Sequence, residues 1–124
     1  MNATGKKILI ADDSASMRQL MSFALTSAGY SVITAHNGRE ALALAESVKF
    51  DMVLTDLNMP ELDGIGLIKG IRQIPRLEAT PVVMLSTEGK EDKKKQGIEA
   101  GASQWLTKPF TPDTLLSAVR KHLR

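Results

Sequence analysis

DMVLTDLNMP, residues 51–60, decides how the rest of the chain is read. Met52, Val53 and Leu54 form a short apolar run of the kind that fills a buried strand. The run stops at a carboxylate, Asp56; Asn58, Pro60 and the pair Asp63-Gly64 then signal a turn. From residue 63 to 72 the spacing of apolar residues becomes helical, and Pro75 closes that helix off. The unit is a strand, a loop that opens on an acid, and a helix.

The same unit repeats on both sides of this stretch. Upstream, KILIA (7–11) precedes Met17, Leu20, Met21, Ala24, Leu25 and Ala28, spaced as one helix face and stopped by Gly29. SVITA (31–35) precedes a helix over 37–48 with Ala41, Leu44, Ala45 and Val48 inward. Downstream, PVVMLS (81–86) precedes a highly charged helix over 90–100, ended by Gly101. Residues 104–107 precede a helix capped by Thr111, with Pro112 at its first position and Leu115, Leu116, Val119 and Leu123 on its buried face. Five strand–helix units in strict alternation predict an α/β fold, a parallel sheet layered between helices. The right-handed crossover rule leaves few topologies, and the expected one is flavodoxin-like, a (βα)5 sandwich with strand order 2-1-3-4-5.

Composition narrows the function. The chain has 124 residues, 43% apolar and 24% charged, and is expected to form one globular domain spanning 1–124, without room for an attached output domain. A net charge of +2 and five aromatic residues (one Trp, one Tyr, three Phe) argue against nucleic-acid binding. With no cysteine there is no disulfide, thiolate metal site or Cys nucleophile. No apolar run approaches the length of a membrane span, and MNATGKK has no hydrophobic stretch after its basic pair. A cytoplasmic protein with no membrane partner is expected.

In such folds the ligand site lies beyond the carboxyl ends of the strands. Those ends carry Asp12-Asp13, Asp56, Ser86-Thr87 and Lys108-Pro109. The order 2-1-3-4-5 makes strands 1, 3 and 4 neighbours, about 5 Å apart. Three carboxylates would then share one crevice, and repulsion would raise the pKa of at least one of them unless a cation intervened. Mg2+ suits such a place, because it takes oxygen ligands and keeps several waters. A cation there prepares the site for a phosphoryl group, with Lys108 and the Ser86 hydroxyl on further phosphoryl oxygens. Asp56, on the middle strand, is best placed to attack phosphorus and form an acyl phosphate. Taken singly, each residue has a plainer role: Asp12 and Asp13 as helix caps, Asp56 as a turn residue, Lys108 in solvent. The plain roles do not explain why all of them stand at strand ends.

The stretches ILIADDSASMRQLM, DMVLTDLNMPELDGIGLI, TPVVMLSTEG and AGASQWLTKPF resemble, in order and spacing, the receiver domain of two-component response regulators, particularly its stand-alone chemotaxis members. The resemblance covers essentially the whole chain. It implies that Asp56 is the phospho-acceptor, that Asp12 and Asp13 help hold Mg2+ with Asp13 the more direct ligand, and that the backbone carbonyl of Asn58 completes the metal site. It implies a switch hydroxyl at Ser86, a phosphate-contacting Lys108 followed by a cis bond to Pro109, and a switch aromatic at Trp105, where the family usually has Tyr or Phe. Asn58 and Glu88 would tune the phosphoryl lifetime. A histidine kinase would be the phosphodonor, and a downstream protein would bind the surface of helix 4, strand 5 and helix 5. The chain would be a monomeric signalling phospho-acceptor with self-catalysed phosphorylation and dephosphorylation, not a turnover enzyme.

Lys93, Lys94 and Lys95 depart from the apolar contact by which a chemotaxis member engages the flagellar motor. An acidic partner, or a phosphate-sink role, stays open. A flavin-binding electron carrier would need a Ser/Thr/Gly-rich loop after strand 1, where two acids stand instead. A phosphohydrolase of the aspartyl-phosphate type would need an acid at position 58. Gly64, Gly66 and Gly70 have the wrong spacing for a dinucleotide fingerprint. His36 and His122 are expected in solvent, and Met17, Met21, Met52 and Met84 in the core.

Overall fold

The computed structural model describes residues 5–87 and 91–123. The elements run β1 (Lys7–Ala11), α1 (Ala15–Ser27), β2 (Ser31–Ala35), α2 (Gly38–Ser47), β3 (Met52–Asp56) and α3 (Gly64–Arg72). A turn of 3-10 helix (Pro75–Leu77) follows, then β4 (Val82–Ser86), α4 (Glu91–Ala100), β5 (Gln104–Thr107) and α5 (Pro112–His122). The 3-10 turn is the one regular element among the described residues that the periodicity did not announce. The five strands pair in parallel in the order β2-β1-β3-β4-β5, as expected.

The alternation of side chains along each strand builds two cores. Leu9, Ala11, Val53, Val82 and Met84 face α2 and α3. Ile8, Ile10, Met52, Leu54, Val83 and Leu85 face α1 and α5. Every residue of β3 and β4 is buried, as a strand between two helical layers must be. These two strands are the rigid posts of the site.

Local signals set the helix ends. The hydroxyl of Ser14 accepts from Met17 N–H, so Ser14 caps α1 and neither Asp12 nor Asp13 does. Asn37, Asp63 and Thr111 cap α2, α3 and α5 in the same way. After α1, Gly29 takes φ 97°, and the Tyr30 N–H reaches back to the Leu25 carbonyl.

Two expectations need correction. Leu20 is not part of the buried stripe of α1; it is 46% exposed, beside Phe23 at 77%. On a helix of 100° per residue Leu20 sits about 80° from the centre of the stripe formed by Met17, Met21, Ala24, Leu25 and Ala28, at its margin. His122 is not in solvent either. It is half-buried, and its Nε2 lies 2.8 Å from Gln104 Oε1 on β5. His36 is exposed beside Glu40, as expected.

Candidate functional site

The parallel register brings three acids to one edge of the sheet. β1 ends against β3 with Ala11 beside Thr55, so Asp12 and Asp13 follow immediately beside Asp56. One carboxylate oxygen from each of Asp12, Asp13 and Asp56 lies within 4.8 Å of the others. Lys108 arrives from the end of β5 and places Nζ 3.0 Å from Asp12 Oδ2 and 3.3 Å from Asp56 Oδ1. Three carboxylates against one ammonium leave two negative charges for another cation to offset.

The three acids are held very differently. Asp12 is fully buried, and all its polar atoms are engaged. Its N–H donates to Ala35 O at 3.1 Å, and its carbonyl accepts from Arg18 Nη1 at 2.7 Å. Its Oδ1 accepts from Ser14 N–H at 2.9 Å, and its Oδ2 from Lys108. Asp56 is 9% exposed. Its Oδ1 accepts from Leu57 N–H at 2.9 Å and from Lys108, while Oδ2 has no hydrogen bond among the described residues. Asp13 is exposed and has no hydrogen bond or ion pair among the described residues. Burial pushes the Asp56 carboxyl above its ordinary pKa; the Lys108 ammonium and the Leu57 N–H pull it down, and the Asp12 charge raises it further.

The donor set fits a hard divalent cation. It offers carboxylate oxygens only, with no imidazole or sulfur, and the two least engaged groups, Asp13 and Asp56 Oδ2, have coordination capacity to spare. Asn58 is exposed two residues past Asp56, and Met59 is buried behind it.

The remaining expected site residues lie along β4 and β5. Ser86 is 1% exposed at the tip of β4, one residue beyond Leu85, the register partner of Asp56. Trp105 pairs with Met84, and Thr107 with Ser86, so by alternation Ser86 and Trp105 project from the same face of the sheet. That face is covered by α4, where a Cβ on Gly97 would lie 2.9 Å from Trp105 Cζ3. The indole Nε1 is buried without a hydrogen-bond partner among the described residues. The Lys108-Pro109 bond is cis. Glu88 lies outside the described residues. The structure therefore gathers Asp12, Asp13, Asp56 and Lys108 into one cluster, with Ser86 at the tip of β4 and Trp105 on β5, two residues before the register partner of Ser86.

Sequence reasoning missed Arg18 and Arg72. Arg18, on α1, holds the Asp12 carbonyl. Arg72, at the end of α3, donates to the carbonyls of Leu77, Glu78, Thr80 and Gly101. Both bond to backbone, which leaves no signature in residue type.

Comparison with known proteins gives one family. Residues 8–120 match the response regulator receiver domain. The phosphate regulon transcriptional regulatory protein PhoB of Pseudomonas aeruginosa is 38% identical over 97% of this chain and 52% of its own length. The chain spans about half the length of the curated relatives it matches. The structure of the Vibrio cholerae chemotaxis protein CheY4 superposes with a TM-score of 0.92 at 45% identity, covering 95% of this chain and 98% of that one. A receiver domain of a sensor histidine kinase from Pseudomonas aeruginosa, 25% identical with a TM-score of 0.89, covers 95% of this chain and 97% of its own; its structure has a magnesium ion coordinated in the active site cleft. Among the described residues no helix is long and apolar enough to cross a membrane.

Proposed function

The chain belongs to the response regulator receiver family, a family of signalling domains, and on that premise we propose that it is a switch set by phosphorylation of Asp56 by a histidine kinase. The observation that carries this is the convergence of Asp12, Asp13, Asp56 and Lys108 at the carboxyl edge of the sheet.

Asp56 Oδ2, the oxygen without a hydrogen bond among the described residues, attacks phosphorus, while Leu57 N–H and Lys108 hold Oδ1 still. The P–N bond of the donor phosphohistidine breaks, its electron pair returns to the imidazole nitrogen, and a P–O bond forms to Asp56. Asp13, Asp56 and the backbone carbonyl of Asn58 would hold Mg2+, with Asp12 beside them. The ion would neutralise charge on the carboxylate and the phosphoryl oxygens. Lys108 turns toward the new phosphoryl group. In dephosphorylation a water oxygen attacks phosphorus, the bond to Asp56 Oδ2 breaks, and inorganic phosphate leaves with the carboxylate restored. Asn58 and Glu88 flank that attack and set the lifetime.

Ser86 and Trp105 transmit the change. The Ser86 hydroxyl moves to a phosphoryl oxygen, and the indole follows along the shared face of the sheet. A buried donor without a partner among the described residues, such as Trp105 Nε1, costs on the order of 1–3 kcal/mol. That cost lowers the threshold for leaving the resting position. The response reaches α4, β5 and α5, where Ile98 is 52% exposed among Glu91, Lys94 and Lys95 and offers a downstream protein an apolar centre with charges of both signs.

The likeness to CheY4, a chemotaxis protein, over nearly the whole of that chain supports a chemotaxis regulator. The likeness to about half the length of PhoB, a transcriptional regulatory protein, favours a second reading, a receiver that controls a transcription factor's output. Incubation with a small phosphodonor and Mg2+, followed by intact mass, tests the common core. The parent gains one phosphoryl group and Asp56→Asn gains none; equal labelling of both would exclude Asp56 as the acceptor. Motility assays in a deletion strain, set against transcript profiling, separate the two outputs.

A further inference from the structure

Asp13 has no hydrogen bond or ion pair among the described residues, yet one of its oxygens lies within 4.8 Å of oxygens on Asp12 and Asp56. Its direction must therefore come from the backbone that carries it. That backbone is the peptide joining Asp12 to Asp13, and its carbonyl is the Asp12 oxygen to which Arg18 Nη1 donates at 2.7 Å. The bond is charge-assisted and short. Arg18 is half-buried in the first turns of α1 and forms no ion pair with a carboxylate among the described residues. It therefore acts here on the peptide plane, not as the partner of an acid.

We propose that Arg18 is a positioning residue for the cation site: it locks the Asp12–Asp13 peptide so that the unsupported Asp13 carboxylate faces Asp56. This rests on the reading that the acidic cluster takes a divalent ion. The Asp12 side chain is tied separately, to Ser14 N–H and Lys108, so loss of Arg18 leaves that carboxylate in place and frees the following peptide to rotate. A ligand whose orienting group is removed typically loses 10–100-fold in metal affinity.

Titration of the full chain with Mn2+, read by the electron paramagnetic resonance signal of the free ion, tests this without any phosphoryl chemistry. Urea unfolding without metal runs in parallel. Arg18→Met should weaken Mn2+ binding about 10- to 100-fold with little change in the unfolding midpoint. Arg18→Lys, which keeps a cationic donor, should recover most of the affinity. If Arg18→Met does not fold, Arg18→Gln takes its place. Binding within about twofold of the parent, while Asp13→Asn abolishes it, overturns the role of Arg18 and leaves the cation site standing. A parent chain that binds no Mn2+ overturns both.

Discussion

Replacing Arg72 by Met should loosen α4 and the turn that leaves it. Arg72 is the last residue of α3, and its guanidinium is engaged on every side. Nε and Nη2 both donate to Gly101 O, at 3.2 and 2.7 Å, gripping the turn that leaves α4. Nη1 shares its hydrogens among the carbonyls of Leu77 (3.0 Å), Glu78 (3.1 Å) and Thr80 (2.7 Å). Met keeps most of the apolar stem and removes every donor. Hydrogen bonds from a charged donor contribute roughly 1.5–3 kcal/mol each, and the two shortest dominate. Arg72 is only half-buried, so water replaces part of what is lost. The expected cost is the low end of that sum, about 3 kcal/mol. With a urea slope of about 2 kcal/mol/M, the midpoint should fall by roughly 1.5 M. The loss should concentrate in α4. Among the described residues of that helix only Gly97 is buried, so little apolar packing substitutes for the grip on its C-terminal end. Amide exchange should accelerate in α4 more than in α1, which buries Met21 and Leu25. Arg72→Lys should not rescue, because one ammonium cannot span Gly101 and Thr80 together. A loss under about 1 kcal/mol, or exchange raised equally in α1 and α4, would refute the reasoning.

Three further outcomes follow from the geometry. Gly97→Ala puts a Cβ 2.9 Å from the Trp105 ring; overpacking of about 1–3 kcal/mol should exceed the helix-propensity gain of about 1 kcal/mol, and Trp105 emission should shift; a more stable protein with unchanged emission would contradict it. The raised pKa of Asp56 means that the group contributes stability below its unfolded value of 3.8 and loses it as pH rises through the folded value. Without metal, Asp56→Asn should therefore be more stable than the parent at pH 7, with the gap closing on acidification; a parent more stable at neutral pH counts against the desolvated site. Mg2+ at a hundred times its dissociation constant should stabilise the parent by about 2.7 kcal/mol, visible as a higher melting temperature, and should leave Asp13→Asn unmoved.

The strand ends were legible because burial imposes a period. A run such as VVMLS, 82–86, has to be a strand between two layers, and whatever polar residue follows it has to stand at the edge. Asp12, Asp13, Asp56, Ser86 and Lys108 were found that way. The stripe of α1 was misjudged at Leu20, because periodicity marks the centre of a helix face more sharply than its margin. His122 was misplaced because its partner, Gln104, lies on an edge strand that pattern alone does not bring beside the end of α5.

The sequence by itself determined the fold class and which polar residues stand at the strand ends, since alternating period, turn chemistry and chain connectivity admit few parallel sheets. Only the tertiary structure decided how they meet. Lys108 bridges Asp12 across 96 positions, Arg18 grips a carbonyl and not a carboxylate, Arg72 ties α3 to the end of α4, and Gly97 makes room for an indole. Those arrangements depend on distances between elements set by packing, and on backbone acceptors that every residue type offers alike.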